Sequence, residues 1–218
     1  MEELNTIQRL IIWAFPILTA ITLHEVAHGW VALRLGDTTA KAQGRLSLNP
    51  LRHIDPVGTV LVPLALFFLS GFVLGWAKPV PVNYSRLHHP KRDMALVALA
   101  GPAANMVMAL AWALLLLAGA SLWAHGLNWL GTPLYYMGQA GILINIILAV
   151  LNMLPLPPLD GSRVLSGLLP SGFGVLMARI EPFGLVILLL LLISGALNWI
   201  LGPPVSWLHQ AIFTILGY

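Results

Sequence analysis

The long uncharged stretches of the chain constrain it most. From Met94 to Ala124 no residue carries a charge, and apolar runs of similar character recur before and after it. Soluble cores are built from shorter runs. Of the 218 residues, 58% are hydrophobic and 9% charged, against about 25% charged in soluble domains. So few charges cannot cover a water-exposed surface of this size, which leaves a polytopic protein whose solvent is the bilayer. The fold class expected is all-α, with about five to six membrane segments. The formal charge of +3 gives no case for nucleic-acid binding. There is no cysteine, so a metal site must be built from His, Asp or Glu.

The first span is read from Ile7 to about Leu35. Its apolar part, Leu10 to Leu23, covers roughly 21 Å. It leads into His, Glu and His instead of a small-residue cleavage site, so it reads as a retained helix. Further core helices are expected over 94–124 and 133–154, a short helix to about Leu169, a loop, and a last span over 183–201. Alternation around Gly44–Leu48 predicts short edge strands beside the membrane. Residues 57–76 are apolar but carry Gly58, Pro63, Gly71 and Gly75, and they either span or re-enter.

The basic residues weigh on that choice. Arg34, Lys41, Arg45 and Arg52 lie in one loop; Lys78, Arg86, Lys91 and Arg92 lie in the next. Lys and Arg favour the cytoplasmic side. Both loops fall there only if 57–76 enters and returns, which broken backbone tolerates where protein or water shields it. That reading puts the N-terminus outside and the His-bearing end of the first helix toward the cytoplasm. The whole chain is read as a single membrane-embedded domain. The tryptophans near span ends, Trp13, Trp30, Trp76, Trp123, Trp129, Trp199 and Trp207, fit an interface belt.

The chemistry is concentrated at His24, Glu25 and His28, which read H-E-V-A-H. Residues four apart share one helix face, so both imidazoles can grip one metal ion, with Glu25 beside its open position. Zinc with a water and a neighbouring carboxylate is the machinery of a hydrolase. Three ionisable groups within an apolar span each carry a cost, which a metal offsets. A third ligand is needed. Asp37, Asp55 and Asp93 lie in polar loops, and Glu181 adjoins one. Asp160 follows Pro155, Pro157 and Pro158 at the start of a short helix. It is either a helix N-cap or the ligand, and the shortage of rivals favours the ligand. Asn105 and Asn152 either tie helices together or bind substrate backbone. Two rival functions stay open: a metal transporter using the same three residues, and an inactive membrane scaffold.

H-E-V-A-H, A-G-P-A-A-N at 100–105 and N-M-L-P-L-P-P-L-D-G at 152–161 resemble the site-2 protease family of intramembrane metalloproteases. G-R-L-S-L-N-P at 44–50, H-I-D-P-V-G at 53–58 and W-A-K-P-V-P-V at 76–82 resemble its compact prokaryotic branch. The resemblance runs from about residue 20 to 165. It implies a metalloendopeptidase with one zinc ion on His24, His28 and Asp160, Glu25 as general base, and a three-helix catalytic core. It also implies a multi-pass protein of a prokaryotic cell membrane, acting in regulated intramembrane proteolysis. Its partners would be the lipid bilayer and a single-span transmembrane substrate received in extended form by the edge strands. The larger relatives' PDZ and nucleotide-sensing domains have no counterpart here, and homo-oligomerisation is left open.

Overall fold

The computed structural model describes residues 5–61 and 77–217. Helix α1 (Thr6–Arg34) opens on a capping box, in which Asn5 Oδ1 accepts from Gln8 N–H and the Gln8 side chain accepts from Asn5 N–H. Helix α2 (Pro90–Ala124) starts with Pro90 in its first turn, where no N–H is needed. Asp93 reaches back to the His89 N–H at 2.8 Å. Helix α3 (Asn128–Asn152) returns antiparallel after a short turn through Gly126, whose φ is +81°. Helix α4 (Asp160–Leu168) follows the proline-rich break. Helices α5 (Ser171–Ile180) and α6 (Gly184–Ile193) are joined by a single tight turn, and α7 (Ala196–Ile215) closes the fold.

Among the described residues, four helical stretches are long and apolar enough to cross a bilayer: Ile7–Arg34, Pro90–Ala124, Asn128–Asn152 and Ser171–Ile193. The architecture is an all-α polytopic membrane fold. Large apolar side chains such as Leu10, Val107, Leu114, Leu190 and Ile193 face outward, as lipid contact requires.

Apolar tails outside give helices little hydrophobic reason to associate, so they must pack closely. Helices α2 and α3 do this through small residues. A Cβ on Gly119 would meet the Tyr135 backbone, one on Gly138 the Leu116 backbone, and one on Gly141 the Trp112 ring. Trp112, Leu116, Ile142 and Ile146 fill the core between them, with Ile212 of α7 behind. Helix α1 lies against both α2 and α3, and α4 packs on α2. The three-helix core brings the second half of α1 beside the start of α2.

Three expectations change here. The segment 183–201 is not one helix, because Gly195 takes φ +76° and breaks it between α6 and α7. The stretch 170–182, read as a loop, is helical, since Pro182 falls in the first turn of the tight link, where a missing N–H is tolerated. The edge strands are also absent. Among the described residues there is no strand, and 45–49 and 77–83 run irregularly. Pro79 and Pro81 remove two donors that a ladder needs. The remaining groups are used otherwise: Lys78 N–H donates to His53 O (2.9 Å), and Lys78 O accepts from Arg45 Nη2 (2.9 Å). Asn83 N–H donates to Asp37 Oδ2 (2.7 Å). Most of the 57–76 segment, residues 62–76, lies outside the described residues; its start, Pro56–Leu61, is a wide helical turn whose N–H groups at 57 and 58 are capped by Asp55.

Asp37 is fully enclosed, at 0% exposure. Burial raises its carboxyl, but the Thr39 hydroxyl and the Asn83 and Thr39 N–H groups outweigh this and hold it below the usual carboxylate range. A folded value below the unfolded one, roughly 3.9, gives stabilisation that is complete above that pH and is lost as pH falls through the folded value. Hydrogen exchange at Asn83 should therefore stay protected down to about pH 4 and lose protection below it. Asp37→Ala should lose that protection already at neutral pH. Equal protection in the variant and the wild type would show that the 77–83 segment is held by something else.

Candidate metal centre

The centre sits where α1, α2 and α4 meet. One turn of α1 separates His24 from His28, and both rings turn inward, edge to face, with centroids 4.6 Å apart. Their Nε2 atoms lie 3.0 Å from each other. Asp160, the first residue of α4, brings Oδ2 to 3.2 Å from His24 Nε2 and 3.3 Å from His28 Nε2. All three residues are buried. Leu159, and not Asp160, occupies the N-cap position. The break before α4 sets the placement: Leu159 N–H closes on Leu156 O at 2.9 Å, and Gly161 lies so close to the Met153 and Leu154 carbonyls that a Cβ would collide with them.

Each ring is held from behind. His28 Nδ1 lies 2.7 Å from the Val97 carbonyl oxygen, which can only accept, so Nδ1 carries the proton. His24 Nδ1 bonds Asn105 Oδ1. With both protons on the Nδ1 side, both Nε2 atoms present lone pairs. They converge on a carboxylate oxygen that is buried and has no hydrogen-bond partner among the described residues. Three acceptors facing one point repel one another unless they share a positive charge, either a second proton on a ring or a cation. A tetrahedral ion with bonds of about 2.0–2.1 Å spaces its ligand atoms about 3.3 Å apart. The observed 3.0, 3.2 and 3.3 Å edges match that face. The residues present therefore fit a metal ion.

Gly101 of α2 closes the other side. A Cβ there would run into the Nε2 edges of both rings. Glu25 is half-buried beside the triad in sequence, and its Oε2 accepts the Val80 N–H at 2.7 Å.

No family profile matches the chain, and no solved structure matches it. Curated proteins do. The chain is 38% identical over 204 residues to "Putative zinc metalloprotease YwhC" of Bacillus subtilis (strain 168), covering 92% of this chain and 89% of that protein. The chain belongs to the site-2 protease family. "Putative zinc metalloprotease Rip2" of Mycolicibacterium smegmatis is 34% identical, across 92% of this chain and 71% of that protein. "Putative zinc metalloprotease MJ0611" of Methanocaldococcus jannaschii is 41% identical over 104 residues, about half of each chain.

In this site-2 protease, His24, His28 and Asp160 come together. Asn105 lies behind His24 with 0% exposure; its oxygen meets His24, and its NH2 meets Asn145 Oδ1 (2.9 Å) and Ala20 O (3.5 Å). These bonds are those of an amide that ties helices together, one of the two readings the sequence left open for Asn105. Asn152 Nδ2 donates to Leu148 O at 2.9 Å and the residue is half-buried. Sequence reasoning missed Asn145, Gly101, the Val97 carbonyl and the Val80 N–H. The first carried a usable signal, an amide in the middle of an apolar span. The backbone groups carried none.

Proposed function

We propose that the chain is an intramembrane zinc endopeptidase that hydrolyses peptide bonds of membrane-spanning substrates. His24, His28 and Asp160 hold the zinc, and Glu25 is the general base. The observation that carries this reading is the convergence of three buried lone-pair atoms at 3.0–3.3 Å, with one carboxylate oxygen otherwise unpartnered among the described residues. Zinc bound there supplies Lewis acidity and lowers the pKa of a water toward about 7. Glu25 takes a proton from the attacking water and returns it to the leaving nitrogen, so one peptide bond and one water become a carboxylate and an amine. The Val80 N–H fixes one Glu25 oxygen and leaves the other for the proton. Asn152 offers its amide to the substrate backbone.

The substrate must unwind to be cut, because a helix hides its own amides, and a single-span protein in a regulated proteolytic cascade fits that need. The positive-inside bias favours an extracytoplasmic N-terminus and a site toward the cytoplasm. The 1–218 chain acts as one membrane-embedded domain.

The test is metal analysis and cleavage together, on purified protein in detergent with a tagged single-span reporter. Near-stoichiometric zinc, cleavage abolished by a chelator and cleavage restored by zinc are expected. Cleavage that persists in protein shown to be free of metal would overturn the proposal.

A further inference from the structure

Behind His24 a line of side-chain amides runs away from the metal site and across three helices. Asn105 of α2 and Asn145 of α3 are both fully enclosed, at 0% exposure. Asn145 Nδ2 lies 2.8 Å from the Gly141 carbonyl oxygen. Asn145 Oδ1 lies 2.9 Å from Asn105 Nδ2, and Asn105 Oδ1 bonds His24 Nδ1. An amide side chain can be turned either way, so the direction of such a line must be set by a group that cannot turn. The Ala20 carbonyl meets Asn105 Nδ2 only at 3.5 Å; the Gly141 carbonyl, at 2.8 Å from Asn145 Nδ2, is the stronger such group. It only accepts, so Asn145 must present NH2 to it and oxygen to Asn105. Asn105 must then present NH2 to Asn145 and oxygen to His24. His24 must put its proton on Nδ1, and Nε2 is left as a bare lone pair aimed at Asp160 and His28.

We propose that Asn145 is a positioning residue that sets the His24 tautomer through Asn105, with the Gly141 carbonyl fixing the direction. The proposal rests on the metal reading of His24, His28 and Asp160. An isolated neutral imidazole has no such constraint, and the wrong tautomer would point an N–H at the ion. His28 needs no relay, because the Val97 carbonyl acts on it directly. The two ligands of one helix are thus governed from different places, His28 from α2 alone and His24 from α2 and α3 together. Partners of this outer kind typically govern metal affinity by about 10–100-fold.

The experiment has two arms. In the first, protein labelled with 15N-histidine and freed of metal is examined by solid-state NMR in lipid, about two pH units above the ordinary imidazole value of roughly 6.5. The His24 resonances are identified by their loss in His24→Ala. The Nδ1–H tautomer is expected at His24, and the Nε2–H tautomer there overturns the proposal. In the second arm, zinc affinity is measured by chelator competition, alongside the visible absorption of the cobalt-loaded protein. Asn145→Leu should weaken zinc binding by about 10–100-fold. Adding Asn105→Asp should restore it to within about threefold, because a carboxylate accepts from His24 Nδ1 without needing a direction imposed on it. Wild-type affinity in Asn145→Leu, or a loss that Asn105→Asp does not repair, overturns the proposal and leaves Asn145 a packing residue. A wild-type protein that binds no zinc would instead defeat the metal reading itself.

Discussion

Glu25→Gln is expected to lower reporter cleavage by about 10²–10⁴-fold while zinc content stays at the wild-type level. Glu25 is not one of the three atoms that converge at the centre, and its Oε2 is tied to the Val80 N–H at 2.7 Å. Glutamine has nearly the same shape, and its amide oxygen can keep that tie. What it lacks is the capacity to take a proton from water and give it to the leaving nitrogen. The two readouts must therefore separate. Cleavage at the wild-type rate would remove Glu25 from the mechanism, and joint loss of zinc and cleavage would make it a determinant of the site's structure.

Asp160→Asn should have the opposite pattern, with zinc and activity lost together. The amide removes the negative charge that balances the ion. It also introduces an NH2 group that can donate to the His24 and His28 Nε2 lone pairs, 3.2 and 3.3 Å away, and so fill the centre with hydrogen bonds. The loss of affinity should exceed the 10–100-fold typical of outer partners. Helix α4 should survive, because Leu159 holds the N-cap position. Chelator competition with thermal unfolding of the metal-free protein checks both halves. Wild-type zinc affinity in the variant would show that the third ligand lies elsewhere.

His24 and His28 were legible in the sequence because the four-residue period of a helix dictates that they share a face. Asp160 was legible by elimination and by the prolines that end α3 before it. The three core helices follow from apolar length alone, and their ends fall close to where the polar turns begin. What could not be read is long-range or depends on backbone direction. The order of Asn105 and Asn145 requires knowing which carbonyl ends the line. The break at Gly195 hides in a stretch, L-I-S-G-A-L, whose composition continues the span, and only its left-handed φ reveals it. The strands expected near Gly44–Leu48 failed for a local reason, since the neighbouring 77–83 segment gives up two N–H groups to proline and those of Lys78, Val80 and Asn83 to the His53 carbonyl, Glu25 and Asp37.

Gly101 has a consequence for anyone engineering a hardier version of this enzyme. Replacing a mid-helix glycine with alanine ordinarily favours a helix by about 1 kcal/mol. A screen that scores only melting temperature would thus be drawn to this position. Here the added methyl would occupy the space of the His24 and His28 ring edges. The protein selected could be sturdier and yet inert, its scaffold improved by the same atom that displaces the ligands.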